Sequence, residues 1–449
     1  MAKKLRVGIL FGGRSGEHEV SLLSAASVLK AIDRRKFEVV PIGIDKSGRW
    51  LTGDAAQALL TGTLPPLDEL IAETLEAEEA DGLQDAPIVE QAPDAPGAAE
   101  AHDEADASSS LAADSDAEAS KKSSGTEAEC CKNGDCGDDC DCGDDCDCDC
   151  CDDDEVECNC FLDGQTCLAS QEVDVVFPVL HGTFGEDGTM QGLFELSDLA
   201  YVGSGVLGSS AGMDKDLMKR LFAQAKLPLV KHITLLRSAW EKSPIKAVAA
   251  VESALKYPVF VKPANLGSSV GISKAHDRKE LKAALTLASK YDRKLVIELG
   301  VGGKAARARE FEVAVLGNDD PKASVVGEII PAKEFYDYEA KYLSEGSVPV
   351  IPAKLTKAES KQIREMAVAA FQACDLAGLA RVDFLMEPDG KRRVYLNEVN
   401  TMPGFTKISM YPKLWEASGV KYKELITRLI ELAIERRAEK ARTIYSLEG

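Results

Sequence analysis

The stretch LARVDFLMEPDGKRRVYLNEVN (residues 379–400) decides how the carboxyl-terminal half of the chain folds. It reads as two strands joined by a short turn at Pro388–Gly390, because short apolar runs flank a Pro-Asp-Gly turn. Side chains of a strand point alternately to its two faces, so Glu398 and Asn400, two positions apart, share one face. A strand that enters a core therefore carries a carboxylate and a carboxamide on the same side.

A metal platform would explain this pair of side chains. The preceding strand carries Asp383 and, two residues earlier on the same face, Arg381. If the two strands pair, Asp383, Glu398 and Asn400 bring three oxygen-bearing side chains together, and hard divalent cations such as Mg²⁺ prefer oxygen ligands. A polar strand face in contact with solvent is the alternative interpretation of this pattern.

The composition describes a mildly basic globular body interrupted by a very acidic segment. The chain has 449 residues, 45% of them apolar, and a net charge of −22, which predicts roughly two to four domains. Between Pro66 and Cys167 there are 33 acidic residues and three lysines, a charge of −30, so the remainder carries +8. Such a body suits a small anionic ligand, and nothing in it indicates nucleic-acid binding.

The acidic segment, residues 66–167, is predicted to be a disordered insertion. From Ala101 to Cys160 its only Leu, Ile, Val, Met or aromatic residues are Leu111 and Val156. Ordering each residue costs about 1–2 kcal/mol of backbone entropy, whereas each buried side chain contributes only about 1.5–3 kcal/mol. Twelve of the thirteen cysteines lie in the insertion, in C-x-C and C-x₃-C spacings with interleaved Asp, so binding of a soft metal such as Zn²⁺ or Cu(I) is the alternative interpretation.

The cysteine distribution predicts a cytoplasmic protein. Only Cys374 lies outside the insertion, which favours a reducing compartment over a secreted disulfide scaffold. The opening MAKKLRVGILFGG has an apolar run too short for a signal peptide. No apolar run approaches the roughly 18–20 residues that span a bilayer, so no membrane association is expected.

The rest of the sequence alternates strands and helices. Residues 5–13, 21–32 and 37–45 predict a β-α-β opening. Residues 334–352 show no sustained period and predict a long loop of the kind that serves as a lid. The other predicted elements are strands at 174–182, 199–205, 294–300, 310–319 and 323–331, two strands within 257–275 joined by a glycine-rich turn, and helices at 213–228, 281–292, 358–375 and 422–440.

Three further residues could bind an anion or an amino acid. Lys262 precedes a Gly/Ser turn whose backbone N–H groups could cradle a phosphate, although no Walker A motif occurs; an ordinary hairpin with an exposed lysine is the alternative. Glu17 stands in the turn GGRSGEHEVSL before a helix, where it could hold an ammonium group or simply complement the helix dipole. His181 lies at a strand end in a glycine-rich loop, where a structural role is the alternative.

As a set, these motifs resemble the D-alanine–D-alanine ligases of the ATP-grasp superfamily. The resemblance implies a three-domain α/β ATP-grasp fold whose first domain is Rossmann-like (doubly wound) and carries the acidic, Cys-rich insertion. The matching stretches occur in the family's order across residues 5–435, and they are LFGGRSGEHEVSL, VFPVLHGTFGEDGTMQG, YVGSGVLGSSAGMDKDLMK, VFVKPANLGSSVGISK, EFYDYEAKY, LARVDFLM and NEVNTMPGFT.

The resemblance also implies a reaction and a domain plan. Two D-alanines would be condensed with ATP through an acyl phosphate, for peptidoglycan precursor synthesis, by a homodimer. The implied domains are an N-terminal α/β domain (1–205), a central ATP-grasp subdomain (206–299) and a C-terminal ATP-grasp subdomain (300–449) with the metal site and the lid loop 334–352.

Each polar residue of the motifs takes an implied role from the resemblance. Two Mg²⁺ or Mn²⁺ ions per site would bind Asp383, Glu398 and Asn400, and Arg381 would stabilise the tetrahedral oxyanion. The implied ATP contacts are Lys215 and Lys262 at the phosphates, Glu298 and Val301 in the adenine segment, Glu310 at the ribose, and Lys341.

The two amino-acid substrates would be held by a second set of residues. The EAKY form around Tyr342 resembles the branch of the family that prefers D-alanine to D-lactate or D-serine as second substrate. The implied contacts are Glu17 and His181 at the first D-alanine, Ser268 and Tyr342 as a hydrogen-bonded link between the turn, the lid and Glu17, and Ser409 with the Met410 N–H at the second carboxylate.

Two features depart from the family pattern, and two other functions stay open. The stretch ELGVGGKAARAREFEV is longer than usual ahead of Glu310, which a surface hairpin with a longer tip explains. The insertion at 66–167 is the second departure. The alternative functions are an ATP-grasp ligase for another carboxylate and amine, and a soft-metal-binding protein on a ligase-like scaffold.

Overall fold

The structure is a computed structural model, and the features below concern the residues that it describes. The insertion at 66–167, Lys341, Tyr342 and most of the loop 334–352 lie outside them. The described residues are 4–61, 173–302, 307–330, 348–388, 390, 392–406 and 408–445.

The first sheet is mostly parallel and confirms the predicted β-α-β opening. Its order is β3-β2-β1-β4-β5, and only the edge strand β3 runs antiparallel to its neighbour. β1 is buried on both faces from Val7 onward, as expected of a parallel strand covered by other elements on both sides. The elements are β1 (Leu5–Gly12), α1 (His18–Ala31), β2 (Phe37–Ile44), β3 (Trp50–Leu51), α2 (Gly53–Thr61), β4 (Val175–Pro178), α3 (Thr189–Leu196) and β5 (Ala200–Tyr201).

Two helices follow this sheet, and the second confirms the helix predicted over 213–228. They are α4 (Val206–Met213) and α5 (Lys215–Gln224). Asp214 separates them, because it has an extended backbone and its carboxylate accepts hydrogen bonds from the N–H groups of Asp216 and Leu217. Asp214 thus ends α4 and caps the start of α5.

The second sheet is antiparallel, in the order β6-β9-β7-β8. The predicted strand–turn–strand over 257–275 is confirmed as β7 and β8, whereas β6 and the helices α6 and α7 escaped the sequence patterns. The elements are β6 (His232–Leu236), α6 (Arg237–Lys242), α7 (Pro244–Ala254), β7 (Val259–Pro263), β8 (Ser273–Ala275), α8 (Arg278–Tyr291) and β9 (Lys294–Leu299).

The third sheet is also antiparallel, in the order β12-β11-β10-β13-β14, and it contains the predicted hairpin of residues 379–400. Its elements are β10 (Arg309–Gly317), β11 (Lys322–Ile330), β12 (Val348–Val350), α9 (Lys357–Ala373), β13 (Gly378–Met386), β14 (Val394–Asn400), α10 (Met410–Ala417) and α11 (Tyr422–Lys440).

One hydrophobic core joins the first sheet to the carboxyl-terminal segment. The ring of Phe405 packs edge-on against Phe177 of β4, with centroids 5.7 Å apart, and lies 5.5 Å from the ring of Tyr411. The segment that follows β14 is thereby fixed against the carboxyl ends of β1 and β4. Among the described helices, none is long and apolar enough to cross a membrane.

Candidate active site

The hairpin of β13 and β14 places four predicted side chains on one face, which we call the platform: Arg381, Asp383, Glu398 and Asn400. Asp383 pairs with Glu398, and Arg381 pairs with Asn400, so these four side chains project from the same side of the sheet. Between Asp383–Glu398 and the next pair, Phe384–Leu396, the register shifts because Asn397 is an extra, bulged residue.

The bulge at Asn397 determines which face Glu398 occupies. Without it, pairing would continue from Phe384–Leu396 to Asp383–Asn397 and then to Val382–Glu398. Glu398 would then lie on the face of Val382, which is fully buried. A shift of one residue moves every following side chain to the opposite face, so the platform exists only with the bulge.

Charges on the platform are partly paired with each other. The Nε and Nη2 atoms of Arg381 each donate to one oxygen of Asp383 at 2.8 Å. The same Nε lies 3.2 Å from Glu312 Oε2 on β10. The Asn400 Nδ2 group donates to Asp383 Oδ2 at 3.0 Å. Because the amide nitrogen points at Asp383, the amide oxygen of Asn400 points elsewhere and is available as a ligand.

This set fits a divalent cation that also takes ligands from a bound molecule. Among the described residues no group of three or more His, Cys, Asp and Glu side chains could hold a metal ion by itself. A cation here would therefore depend on the Asn400 amide oxygen and on phosphate or water oxygens as well as on the carboxylates of Asp383 and Glu398. That is the usual composition of a nucleotide-bound Mg²⁺ site.

Lysines from two elements, α5 and β7, lie beside the end of β14. Lys215, the first residue of α5, donates to the Leu266 carbonyl at 2.7 Å, and its Nζ lies 3.6 Å from Glu398 Oε2. Lys262 of β7 has its Nζ 2.7 Å from Glu298 Oε2 and donates to Asn397 Oδ1 at 3.2 Å. Positive charge therefore lies beside the platform, as anionic ligands require.

Glu298 of β9 is buried between two ammonium groups. Its Oε1 lies 2.7 Å from the Nζ of Lys219, and its Oε2 faces Lys262. Burial alone would raise the pKa of Glu298, but the two lysines hold it well below its usual range, so the side chain is a carboxylate. Because both carboxylate oxygens of Glu298 contact lysines, any contact between this strand and a nucleotide base would be made by the backbone.

Glu17 and the Gly/Ser turn after β7 meet in a cleft that Arg381, Glu398 and Asn400 also line. Glu17 is 9% exposed, and its carboxylate accepts a hydrogen bond from the Ser268 hydroxyl. The backbone of two loops passes close to it, since a Cβ on Gly267 or Gly182 would lie 3.0 or 3.3 Å from its oxygens. A buried carboxylate held in this way can neutralise an ammonium group.

His181 fixes the loop that leaves β14. Its Nδ1 lies 2.9 Å from the Met402 carbonyl, which can only accept, so Nδ1 carries the proton. Its Nε2 then accepts from the Ser24 hydroxyl at 3.1 Å. Burial lowers the pKa of His181 to about 4, which keeps the ring neutral at physiological pH. Both ring nitrogens have protein partners, so any role of His181 at the first D-alanine stays a prediction.

Glu186 is a cleft residue that the sequence reasoning missed. Its carboxylate accepts hydrogen bonds from the N–H groups of Gly182 (2.9 Å) and Met402 (3.1 Å) and from the Thr401 hydroxyl (3.4 Å). Burial raises its pKa to about 7. Its position five residues after His181, in the same glycine-rich loop, was the available signal.

The predicted residues divide into those that line one cleft and those that do not. Ser409 precedes α10, and its hydroxyl contacts the N–H (3.0 Å) and the hydroxyl (2.8 Å) of Thr406; Glu310 lies 3.4 Å from Arg307. The predicted residues in the lining are Glu17, His181, Lys215, Ser268, Arg381, Glu398 and Asn400. The described ones outside it are Lys262, Glu298, Val301, Glu310, Asp383, Ser409 and Met410.

Comparison with known proteins finds the same family over nearly the whole chain. Residues 6–204 match the family model described as the D-ala D-ala ligase N-terminus, and residues 221–431 match the one described as its C-terminus. The D-alanine–D-alanine ligase of Natranaerobius thermophilus is 44% identical over 440 residues, which cover 98% of each chain. That of Geobacillus thermodenitrificans is 43% identical over 447 residues, 99% of this chain and 100% of the relative.

Solved structures agree with the sequence relatives. The D-alanine–D-alanine ligase from Coxiella burnetii superposes with a TM-score of 0.64 at 29% identity, covering 98% of this chain and 97% of that one. The VanG D-Ala:D-Ser ligase from Enterococcus faecalis gives a TM-score of 0.64 at 28% identity, covering 96% and 100%. With its three sheets, its hairpin platform and full-length relatives of this identity, the chain belongs to the D-alanine–D-alanine ligase family.

Proposed function

We propose that this protein is an ATP-dependent ligase that condenses two D-alanines to D-alanyl-D-alanine for peptidoglycan precursor synthesis. The observation that supports it most is the convergence of three separate segments on one cleft. Arg381, Glu398 and Asn400 come from the hairpin, Glu17 from the turn between β1 and α1, and Ser268 from the turn between β7 and β8. Such a constellation can bind a nucleotide and an amino acid side by side.

ATP would lie between the second and third sheets. Lys215 and Lys262 would contact its phosphates, Glu298 and Val301 would belong to the adenine segment, and Glu310 would bind the ribose. Mg²⁺ or Mn²⁺, two ions per site, would be held by Asp383, Glu398 and Asn400 and would neutralise charge on the phosphate oxygens. Lys341 would contribute from the loop outside the described residues.

The first D-alanine would bind at Glu17. Its ammonium group would pair with the Glu17 carboxylate, which the Ser268 hydroxyl orients, near His181. Its own carboxylate then attacks the γ-phosphate, forming an acyl phosphate and releasing ADP. Tyr342 of the lid loop 334–352 would complete the hydrogen-bonded link to Ser268, and closure would keep water from the acyl phosphate.

The second D-alanine would bind at the start of α10. Its carboxylate would be held by the Ser409 hydroxyl and the Met410 N–H, at the positive end of the helix dipole. Its unprotonated amine attacks the acyl carbonyl, and Arg381 stabilises the oxyanion. Phosphate then leaves with the bond pair and takes up the proton that the nitrogen loses. Holding both amino acids and ATP in line can supply about 7–11 kcal/mol of the barrier reduction.

The domain plan and the cellular setting belong to the same proposal. The three sheets fall within residues 1–205, 206–299 and 300–449 respectively, which supports that division. A cytoplasmic homodimer is proposed from the resemblance. The cysteines of residues 66–167 are a possible site for a soft metal.

A coupled assay tests the proposed function. ADP release should depend on D-alanine and on Mg²⁺, and mass spectrometry should find D-alanyl-D-alanine. D-Serine and D-lactate, offered as second substrates at pH 7, should react more slowly than D-alanine. The proposal is contradicted if the rate of ADP release does not depend on D-alanine, or if turnover is faster with D-lactate than with D-alanine as second substrate. The zinc and copper content of the same sample tests the soft-metal alternative.

A further inference from the structure

Two lysines hold the bulged residue on which the platform depends. The Nζ of Lys219 donates to the Asn397 carbonyl at 3.0 Å, and the Nζ of Lys262 donates to the Asn397 side-chain oxygen at 3.2 Å. Glu298 joins the two lysines, since each of its oxygens lies 2.7 Å from one of them. Asn397 is therefore fixed through both its main chain and its side chain.

The outer edge of β14 is covered by α5 and the segment that follows it. The Leu396 N–H donates to the Pro228 carbonyl at 2.8 Å, and the Val399 N–H points at the Met218 sulfur at 3.4 Å. Between these two contacts the carbonyl of the bulge has Lys219 as its donor. An edge strand with a bulge needs such partners because the bulged residue loses its ladder hydrogen bonds.

We infer that Lys219 is a positioning residue for the metal and phosphate platform. Its ammonium holds the bulge that turns Glu398 toward Asp383, and it shares Glu298 with Lys262. Its side chain is 1% exposed, so it acts through Asn397 and Glu298 and does not touch a ligand. The assignment rests on the proposed function for the identity of the ligand, an adenine nucleotide with a divalent cation.

A merely structural lysine would behave differently from a positioning one. Loss of a structural ion pair lowers the stability of the whole chain and affects the binding of both substrates alike. Loss of Lys219 as inferred here weakens the metal–nucleotide side of the cleft and spares the Glu17 side, which Lys219 does not contact in the structure. The distinction lies in comparing the two substrates within one variant.

The test is Lys219→Met, which keeps the length of the side chain and removes its charge. Calorimetric titration with ADP and Mg²⁺ should give a dissociation constant about 10- to 100-fold higher than for the unaltered protein, the range typical of lost second-layer partners. KM for ATP should rise while KM for D-alanine stays unchanged. The matched control is Arg220→Met, which removes the 70%-exposed neighbour on the same helix and should change neither constant.

A second variant keeps the test decisive if Lys219→Met does not fold. Lys219→Met combined with Glu298→Gln removes one charge of each sign, so no buried carboxylate is left short of a partner. This double variant should also bind ADP and Mg²⁺ more weakly than the unaltered protein, because the Asn397 carbonyl has lost its donor. Unaltered affinity in either variant, or equal increases in KM for ATP and D-alanine, overturns the inference. If the unaltered protein binds ADP with Mg²⁺ but forms no ADP from ATP when D-alanine is added, the proposed function fails. The comparison of ADP binding between the variants still stands in that case.

Discussion

Arg381 illustrates at the residue scale how the site is assembled before a substrate arrives. Its guanidinium lies between Asp383, on the same strand, and Glu312, on the neighbouring strand β10. Side chains held by their neighbours need little reorganisation during reaction, which is the main source of electrostatic catalysis.

Replacing Arg381 by Met should lower kcat about 10²- to 10³-fold, the range for loss of one oxyanion-stabilising group. The measurement is ADP release at saturating ATP and D-alanine. Arg309→Met is the matched control, because Arg309 makes a similar bidentate pair with Glu328, 2.7 Å at both nitrogens, and is absent from the cleft lining. An equal loss of kcat in both variants would show that Arg381 acts only through stability.

The buried imidazole of His181 makes stability depend on pH. Its pKa is lowered from 6.5 to about 4 in the folded state, so the unfolded chain binds a proton that the folded chain does not. The unfolding free energy should therefore fall as pH drops from about 6.5 through about 4, by on the order of 3 kcal/mol.

Urea titrations of the unaltered protein and of His181→Gln at several pH values between 4 and 7 measure this effect. The difference between the two should shrink as pH falls, because the variant lacks the titrating ring. Glu186 contributes the opposite slope, since its pKa is raised to about 7, but it is present in both proteins. A constant difference across this range contradicts the assignment of a neutral His181.

At the scale of elements, the sequence predicted the hairpin but not its register. Alternation placed Glu398 with Asn400 and Asp383 with Arg381, yet whether the two pairs meet depends on the bulge at Asn397. The donor to that bulge, Lys219, lies 178 residues earlier, so no local pattern could reveal it. The sequence does contain one signal of the bulge, because the apolar positions 394, 396 and 399 depart from strict alternation by one residue.

Other elements were missed for local reasons. β6 and α6 are only five and six residues long, too short to show a period. α4 was also missed; it ends at Asp214, whose carboxylate satisfies the first N–H groups of the next helix. The roles of Lys262 and Glu17 could be proposed from sequence, whereas the partners that orient them come from distant strands.

The start of β13 closely approaches the backbone that follows β5, at a pair of glycines. Gly378, at the start of β13, has φ +71°, and a Cβ there would lie 3.1 Å from the backbone nitrogen of Gly203. Gly378→Ala should therefore lose about 1 kcal/mol for the left-handed backbone and about 1–3 kcal/mol more for the close contact. Chemical denaturation measures the loss.

Gly419→Ala is the matched control for this prediction. Gly419 also has positive φ, +91°, but no described heavy atom lies within 4 Å of its added Cβ. It should show only the smaller, backbone part of the loss. Equal losses in the two variants would mean that the approach of Gly378 to Gly203 does not limit side-chain size.

On the scale of the whole molecule, the carboxyl-terminal segment completes the first sheet's core. Lys423 pairs with Asp33 at 3.0 Å, and Arg436 donates to the Gly203 carbonyl at 2.7 Å. The period of residues 422–440 predicted a helix with a buried side, and the structure confirms α11 there. A period identifies a buried side but not what covers it, so this packing was beyond the sequence.

The insertion supports a prediction about the entire chain. Its sequence carries a charge of −30 and almost no large apolar side chains over most of its length, so it should contribute little to the core. Replacing residues 66–167 by a short glycine–serine bridge should retain ADP release with D-alanine. A shortened protein that folds, as judged by cooperative thermal unfolding, but cannot turn over contradicts the interpretation as a spacer.

The central claim is that Asp383, Glu398 and Asn400 together seat a divalent cation beside the nucleotide. Its most direct test is electron paramagnetic resonance of free Mn²⁺ during titration of the protein in the presence of ADP, with Glu398→Ala compared against the unaltered chain. The account predicts tight Mn²⁺ uptake by the unaltered protein and affinity reduced by about 100-fold in the variant. Equal uptake by both proteins would place the cation elsewhere and contradict the account.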